Sequence, residues 1–271
     1  MDRKIGFIGS GNMGSAIIGG IISSGLVKPS DIYVADANRD ALEKVCEKTG
    51  TNACGGNIEA AEKADILFLS VKPHIYPAVI SEIRDSVGED LLIVSIAAGQ
   101  TIENIEKLFA KDIRLVRTMP NTPALVGAGM SLICPNSKAT DEDAEEVVRI
   151  FSSFGRAIRV EENLIDTAGA LSGCGPAFTY MYIEALADAV VEYGVQRDMA
   201  YEIASQMVLG SAKMVRDTGI HPGKLKDNVC SPGGTTIKGV VALEHTGFRS
   251  AVISAVEESI EKSFEMSGKK N

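Results

Sequence analysis

The stretch Ile5-Gly6-Phe7-Ile8-Gly9-Ser10-Gly11-Asn12-Met13-Gly14 sets three glycines at the spacing G-x-G-x-x-G, directly after an apolar strand-like run and directly before a helix-like one. In this order Gly9 allows a tight turn, Gly11 lets a pyrophosphate approach the backbone, and Gly14 lets helix and strand pack closely. The free N–H groups of the first helical turn then face the anion. The predicted dinucleotide loop consists of Ile8, Gly9, Gly11, Asn12, Met13 and Gly14.

The residues after the next strand-like run bear on which nicotinamide cofactor is used. Asp36 lies 22 residues beyond Gly14, close to the spacing of about 20 at which a carboxylate binds the ribose 2′-OH of NADH and would repel the 2′-phosphate of NADPH. Arg39 follows closely, and an arginine there can hold that phosphate. Asp36 therefore favours NADH, whereas Arg39 leaves NADPH possible. For the G-x-G-x-x-G stretch as a whole, the alternative is a glycine-rich turn that binds no ligand.

Composition narrows the class of protein. The net charge of −9 and pI near 5.0 argue against nucleic acid or an anionic membrane as the main partner. The five cysteines are widely spaced without a C-x-x-C pair, which predicts free thiols in a reducing compartment and hence a cytoplasmic protein. The three histidines lack metal-ligand spacing, so we expect no metal site. No apolar run reaches the ~20 residues of a membrane span.

Residues 1–162 alternate short apolar runs with amphipathic stretches, which predicts an α/β domain with a doubly wound parallel sheet. Several of the runs lack polar alternation, as is typical of parallel strands that are covered on both faces. The strand candidates are Lys4–Ile8, Ile32–Ala35, Ile66–Val71, Leu91–Ile96, Ile113–Arg117, Met130–Cys134 and Ala157–Val160.

Residues 163–271 carry helical signals only, which predicts a second, all-helical domain. Within it Ala177–Tyr193 is nearly all apolar apart from one narrow stripe of Glu184, Asp188 and Glu192. A helix that is apolar almost all round needs covering. We expect another subunit to supply that cover in a homo-oligomer; an internal core helix is the alternative reading of the same pattern.

Three strand ends are predicted to line one ligand crevice, because ligands of open α/β sheets bind at the carboxyl ends of the strands. Val71-Lys72-Pro73 follows one strand, and Lys72 is either a phosphate or ribose ligand or a surface lysine. Ala97 and Ala98 follow the next strand, where small residues let the nicotinamide side approach. Asn121 follows the third, between two prolines that stiffen its loop.

A second glycine-rich loop, Ser231-Pro232-Gly233-Gly234-Thr235-Thr236, precedes a helical run in the second domain. A glycine loop that enters a helix presents unpaired N–H donors, and the hydroxyl groups add more. A small carboxylate fits such a loop, which makes it the candidate substrate site. The alternative is a simple helix cap made by serine or threonine, and both readings can hold at once.

The chain resembles the pyrroline-5-carboxylate reductases, most closely their bacterial members, over essentially its whole length. The glycine loop is shared with many dehydrogenases, whereas His221–Asp227 leading to Ser231–Ile237 is close to diagnostic of the family. The other matching segments are Val71-Lys72-Pro73, Ser95–Gly99, Met119–Pro123 and Leu171–Ala177.

The resemblance implies an N-terminal Rossmann domain and a C-terminal all-helical dimerisation domain, assembled as dimers and as decamers built from them. It implies hydride transfer from NADPH or NADH to the ring C=N of 1-pyrroline-5-carboxylate, giving L-proline. By the resemblance, the substrate carboxylate would meet Ser231 and the backbone N–H groups of Gly234, Thr235 and Thr236, with the Thr236 hydroxyl near the ring nitrogen. Thr236 is the candidate catalytic residue, as an orienting hydrogen-bond group, and Gly233 and Asn121 complete the predicted substrate-binding set. The full cofactor set adds Asn57 to Asp36, Arg39, Val71, Lys72, Pro73, Ala97, Ala98 and the glycine loop.

Two other functions remain as alternatives. One is a related imine or β-hydroxyacid oxidoreductase, but the 3-hydroxyisobutyrate type resembles this architecture with a lysine early in the second domain, and Gly173–Tyr180 contains none. The other is a non-catalytic dinucleotide sensor, which would need the first domain but no ordered substrate loop.

Overall fold

The computed structural model describes residues 1–268, which form two compact units. We call them the sheet unit, residues 1–173 with the C-terminal stretch from Ser259, and the helical unit, Cys174–Glu258. Each is described by itself below. In the sheet unit eight strands form one sheet, in the order β3-β2-β1-β4-β5-β6-β7-β8. The strands are β1 (Ile5–Ile8), β2 (Ile32–Ala35), β3 (Asn52–Ala53), β4 (Ile66–Leu69), β5 (Leu92–Ser95), β6 (Arg114–Met119), β7 (Gly129–Pro135) and β8 (Gly155–Arg159).

The predicted α/β fold class, a doubly wound and mainly parallel sheet, is confirmed. The order reverses at β1, which has β2 on one side and β4 on the other, and both pairs are parallel. One pairing differs from the prediction, because β7 runs antiparallel to β6. A parallel crossover needs a dozen or more residues, and the connection 120–128 offers only a 3-10 turn, Thr122–Val126. The two-residue strand β3 is too short to show a hydrophobic pattern and was not predicted.

Helices cover the sheet on both faces and bury two hydrophobic clusters against it. On one face Phe7 stacks on Phe68 with 4.7 Å between ring centroids, and Phe151 packs at the edge of this pair. On the other face Leu69, Ile80 and Ile93 lie in the second cluster. The helices of this part are α1 (Asn12–Ser23), α2 (Arg39–Thr49), α3 (Asn57–Lys63), α4 (Tyr76–Ile83), α5 (Ile102–Phe109) and α6 (Asp141–Ser152).

The remaining helices are α7 (Glu162–Val191), α8 (Arg197–Thr218), α9 (Pro222–Asn228), α10 (Thr235–His245) and α11 (Phe248–Ser267). The first of these, α7, is continuous for 30 residues, whereas the sequence predicted a helix only from Ala177. The prediction started late because Gly173, Gly175 and Pro176 read as a helix break. Across residues 1–268 no helix combines the length and the apolar character that crossing a membrane requires.

An ion pair between the buried Asp143 and the half-buried Arg114 fixes the start of α6 to β6. Thr140 and Asp143 form a capping box, in which the Thr140 hydroxyl accepts from the Asp143 N–H at 3.1 Å and Asp143 accepts from the Thr140 N–H at 2.8 Å. Arg114 donates to both carboxylate oxygens, through Nε at 2.9 Å and through Nη2. Burial alone would raise the pKa of Asp143, but the bonds from Arg114 and Thr140 lower it below its ordinary value.

We predict that Asp143→Asn lowers the free energy of unfolding by about 2–3 kcal/mol, because the half-buried Arg114 guanidinium loses its counter-charge. Asp143 titrates below its ordinary pKa of 3.8 in the folded chain. Its contribution is therefore complete at neutral pH and is lost as the pH falls through the lowered pKa. Urea unfolding at pH 7 and near pH 3 checks this, and the gap between wild type and variant should narrow at the acid end.

The matched control is Asp112→Asn, which removes an exposed partner of Lys138 and should cost under about 1 kcal/mol at either pH. Equal losses for the two variants would contradict a stabilising role for the pair of Arg114 and Asp143.

Candidate active site

Two glycines of the predicted dinucleotide loop are required by close backbone contacts. Gly9 has a φ of 101°, and a Cβ there would lie 2.8 Å from the carbonyl carbon and oxygen of Ser70 at the end of β4. A Cβ on Gly14 would lie 2.5 Å from the Gly9 carbonyl oxygen. Only glycine allows β1, β4 and α1 to approach this closely. The first and third glycines therefore build the turn, as the motif predicts.

The middle glycine, Gly11, faces open space and fits a bound pyrophosphate. A Cβ on Gly11 would meet no described atom within 4 Å. Gly11 is the N-cap of α1, and among the described residues no side chain caps this helix start and no acid lies in its first turn. The positive end of the helix is thus left for an anion. Asn12 is exposed and Met13 half-buried beside it, whereas Ile8 is buried at the end of β1.

Asp36 holds the glycine loop from the end of β2. Its Oδ2 accepts from the Ser10 N–H at 2.6 Å and from the Ser10 hydroxyl at 2.7 Å, and its Oδ1 accepts from the Asn38 N–H at 2.8 Å. Burial pushes the pKa of Asp36 upward, but these three bonds outweigh it and lower the pKa below its ordinary value. Asp36 is therefore ionised at neutral pH and braces the loop. The sequence did not predict Ser10 as its partner, because an N–H and a hydroxyl between two glycines give no pattern of their own.

Arg39 and Asn57 lie near the predicted ribose end and already have protein partners. The exposed Arg39 guanidinium donates to the carbonyl oxygens of Cys54 at 3.3 Å and Gly55 at 2.8 Å, just after β3. Asn57 begins α3 and donates to Glu82 at 2.7 Å. Arg39 keeps further guanidinium N–H groups free of these two bonds, and the predicted roles of both side chains stay predictions.

The ends of β4 and β5 lie beside the glycine loop, because β1, β4 and β5 are neighbours in the sheet. Val71 and Pro73 are half-buried, Lys72 is exposed, Ala97 is buried and Ala98 half-buried. A residue that the sequence did not single out ties these two strand ends together. Tyr76 is fully buried, and its hydroxyl bonds the Leu69 carbonyl and the Ser95 hydroxyl, each at 2.9 Å. Burial raises the pKa of Tyr76 above its ordinary value, so the side chain is neutral at physiological pH and its hydroxyl links the two strand ends.

Asn121, predicted to bind substrate, lies at the carboxyl end of β6 with both polar atoms of its amide engaged. Its Oδ1 accepts from the Met130 N–H at 2.8 Å, and its Nδ2 donates to the Ser172 carbonyl at 2.9 Å. The side chain is nearly buried, at 8% exposure. These bonds join the loop after β6 to β7 and to α7, which is a role in holding backbone.

In the helical unit the second glycine loop leads into α10 as the sequence predicts. Gly233 adopts a φ of 71°, and the Gly234 N–H donates to the Ser231 carbonyl at 3.0 Å, which closes the turn. Gly234 is the N-cap of α10, and no described side chain caps this helix start. Ser231, Thr235 and Thr236 are exposed. The alternative of a serine or threonine cap is therefore not what is found, and the first N–H groups of α10 remain for an anion.

Known proteins resemble this chain over its whole length. The pyrroline-5-carboxylate reductase of Escherichia coli strain K12 is 49% identical over 267 residues, which is 98% of this chain and 99% of that protein. The chain belongs to the pyrroline-5-carboxylate reductase family. The family model described as pyrroline-5-carboxylate reductase dimerisation matches residues 162–266, and the model described as NADP oxidoreductase, coenzyme F420-dependent, matches residues 4–99.

Solved structures of the family agree with the fold. That of a pyrroline-5-carboxylate reductase from Coxiella burnetii superposes with a TM-score of 0.92 at 34% identity and covers all of both chains. That of Plasmodium falciparum pyrroline carboxylate reductase with NADP bound gives a TM-score of 0.89 at 35% identity and covers 98% of each chain. The predicted family, fold, reductase activity and use of a nicotinamide dinucleotide are confirmed. In residues 1–268 no group of three or more His, Cys, Asp or Glu side chains is placed to hold a metal ion.

The predicted homo-oligomer is confirmed by the match to the dimerisation model. The same part of the chain carries many large apolar side chains that are exposed in the single chain, Met181 and Tyr193 among them. Exposed apolar side chains in this number are typical of a surface that a partner covers. The apolar residues of Ala177–Tyr193 are therefore read as interface positions and not as an internal core.

We predict that Gly11→Ala raises the Kd for NADPH at least about tenfold, equivalent to about 1.4 kcal/mol, because the new methyl group enters the space left for the cofactor. Folding should be unaffected, since the Gly11 backbone at φ −63° and ψ −172° is open to any residue. Dinucleotide titration by fluorescence and the melting temperature of the cofactor-free protein check both statements.

Gly19→Ala in the same helix is the matched control. A Cβ on Gly19 would likewise meet no described atom within 4 Å. Alanine there should therefore leave the Kd unchanged and stabilise α1 by up to about 1 kcal/mol. Unchanged dinucleotide affinity in Gly11→Ala would mean that the cofactor does not approach the loop at this residue.

Proposed function

We propose that the protein reduces 1-pyrroline-5-carboxylate to L-proline with NADPH or NADH as hydride donor, the last step of proline biosynthesis. The observation that carries the proposal is the uncapped start of α10 behind the turn Ser231–Gly234, in a chain similar to these reductases throughout. Substrate-dependent oxidation of NADPH and NADH by the purified protein, with proline identified as the product, tests it. Dinucleotide binding without turnover would favour the sensor, and turnover with another imine or hydroxyacid would favour a related oxidoreductase.

Reduction of a cyclic imine requires little acid catalysis from the protein. A cyclic imine is protonated more readily than a carbonyl, so the substrate arrives with an electrophilic carbon and the nitrogen proton already in place. When bound, the nicotinamide supplies the hydride that this carbon accepts. The work left to the chain is to hold the two reactants in one geometry and to anchor the carboxylate.

We assign dinucleotide binding to the edge of the sheet that carries the glycine loop. The pyrophosphate would be held by the N–H groups at the start of α1, next to Gly11. Val71, Lys72, Pro73, Ala97 and Ala98 would line the adjoining strand ends. The open space at Gly11 and the uncapped helix support this assignment. We propose residues 1–162 as the dinucleotide-binding domain and 163–271 as the substrate and dimerisation domain.

We assign the substrate carboxylate to the start of α10. The Gly234 N–H is engaged by Ser231, which leaves the N–H groups of Thr235 and Thr236 and the Ser231 hydroxyl as donors. An anion at this helix end is stabilised by the helix dipole as well as by the hydrogen bonds. Gly233 is needed for the turn, since its positive φ is costly for other residues. The Thr236 hydroxyl is the group we place at the ring nitrogen, where it orients the substrate.

We predict that Thr236→Ala lowers kcat by about 10- to 100-fold, because a group that orients the reacting ring is lost, while the Kd for NADPH stays within about twofold. Steady-state kinetics with cofactor titration measure both. Thr235→Ala is the matched control, since Thr235 contributes its backbone N–H and not its hydroxyl, and its kcat should stay close to that of wild type. Equal rates in wild type and Thr236→Ala would remove the hydroxyl from the mechanism.

The cofactor preference depends on whether Asp36 or Arg39 contacts the ribose of the bound dinucleotide. The carboxylate at the end of β2 favours NADH by charge, yet its three bonds to Ser10 and Asn38 commit it to the loop. The exposed Arg39 can exchange two carbonyl oxygens for a phosphate, which is a stronger, charge-assisted partner. We therefore propose that both cofactors are used, with Asp36 setting the discrimination against NADPH.

We predict that Asp36→Ala raises the ratio of kcat/KM for NADPH to that for NADH, by about tenfold, because a negative charge is removed from the ribose end. The Kd values of both cofactors should also rise together, because Ser10 loses its brace. Parallel kinetics with the two cofactors separate these effects. A shared loss with an unaltered ratio would make Asp36 a brace alone.

We further propose a cytoplasmic location and decamers built from dimers. The free cysteines, two of them buried and one exposed, suit a reducing compartment. Light scattering of the purified protein distinguishes a decamer from a dimer.

A further inference from the structure

The long helix α7 contains a proline in its interior, Pro176. Proline has no N–H, so the carbonyl of Ser172, four residues earlier, lacks the donor that it would have in an ordinary helix. Gly173 and Gly175 flank this turn and add backbone freedom, since glycine costs about 1 kcal/mol relative to alanine in a helix. By its own sequence this turn of α7 is therefore weak.

Asn121 supplies the missing donor. Its Nδ2 lies 2.9 Å from the Ser172 carbonyl oxygen and donates to it. The amide is held in this orientation because its Oδ1 accepts from the Met130 N–H at 2.8 Å. A nearly buried amide with both ends bonded has no freedom to turn away. A side chain from the end of β6 thus replaces a backbone N–H inside α7.

The contact with Ser172 is the last of a row that joins β6 to α7. Arg117 and Met119 alternate along β6 and share one side of it, and Asn121 follows two residues after its end. Arg117 is buried and pairs with Asp166 and with Glu162, the latter at 3.1 Å. Gly169 packs against Met119, where a Cβ would come within 2.9 Å of the Met119 side chain. The row runs along one face of α7 and ends at Ser172.

We propose that Asn121 is a positioning residue that completes α7 at Pro176 and does not itself bind the substrate. The bond lies two residues before Cys174, where the helical unit with its loop Ser231–Thr236 begins. Without the bond, the helix is left with a free carbonyl, a proline and two glycines within one turn. The inference rests on the proposed function, because its main readout is reduction of 1-pyrroline-5-carboxylate.

A double-mutant cycle with Pro176→Ala tests the inference. Asn121→Ala should lower kcat/KM for 1-pyrroline-5-carboxylate at least about tenfold and leave the Kd for NADPH within about twofold. Pro176→Ala alone should stay near wild type. In the double variant the alanine that replaces Pro176 carries an N–H that can donate to the Ser172 carbonyl, so most of the lost kcat/KM should return. Recovery by a change at Pro176, which restores a donor to the Ser172 carbonyl but not the amide of Asn121, is what a direct contact between Asn121 and substrate does not allow.

Two further variants make the cycle specific. Asn121→Asp keeps an acceptor for the Met130 N–H but puts an oxygen where the donor was, so its loss should be at least as large as that of Asn121→Ala. Asn136→Ala removes another nearly buried asparagine that bonds to backbone. Asn136 follows β7 and holds the start of β6, since it accepts from the Leu115 N–H at 3.1 Å and donates to the Ile113 carbonyl at 2.9 Å. Pro176→Ala should not restore any activity lost in Asn136→Ala.

The proposal is overturned if Asn121→Ala is fully active, or if the double variant is folded and as slow as Asn121→Ala. A urea-unfolding cycle on the same four proteins gives a readout without turnover, in which a smaller loss of stability from Asn121→Ala in the Pro176→Ala background is expected. Additive losses would also overturn the proposal. If wild type does not reduce the substrate, the proposed function fails, and the unfolding cycle still decides the role of Asn121.

Discussion

The approach of three backbone segments at the glycine loop is the constraint on which the sheet unit depends. At Gly9 and Gly14 the distances to Ser70 and to the Gly9 carbonyl leave no room for a side chain. This contact sets the end of β1 against the end of β4 and directs α1 away from both. The N–H groups of α1 therefore open onto the edge where β4 and β5 also end. Asp36 and Tyr76 keep that edge in register, one by holding Ser10 and the other by linking Leu69 to Ser95.

Sequence patterns predicted the parts of the fold that follow from local rules. The G-x-G-x-x-G spacing and the runs of Ile, Val and Leu indicated the Rossmann sheet, and the loop at Ser231 indicated the start of α10. The antiparallel entry of β7 was not predicted, because strand direction depends on the length of the connection and not on the strand itself. The first half of α7 was not predicted either, because the donor that replaces the missing N–H of Pro176 lies outside the helix, in the loop after β6.

Side-chain partners were the least predictable part of the site. Asp36 and Asn121 were identified as site residues from their places after β2 and β6, but their bonds to Ser10, Met130 and Ser172 depend on tertiary contacts. In both cases a polar group at a strand end is engaged in holding backbone. A residue of this kind can affect a bound molecule through the shape of the loop as well as by direct contact, and a sequence motif alone does not distinguish the two.

The buried cation of β6 has a consequence for dividing this protein into pieces. Arg117 is compensated by two carboxylates of α7, and Asp166, the fully buried one, lies beyond residue 162. A fragment that ends at residue 162 would contain all eight strands but would lack Asp166. The buried Arg117 guanidinium would then keep only one of its two carboxylate partners. A fragment that keeps both carboxylate partners of Arg117 has to extend along α7 past Asp166.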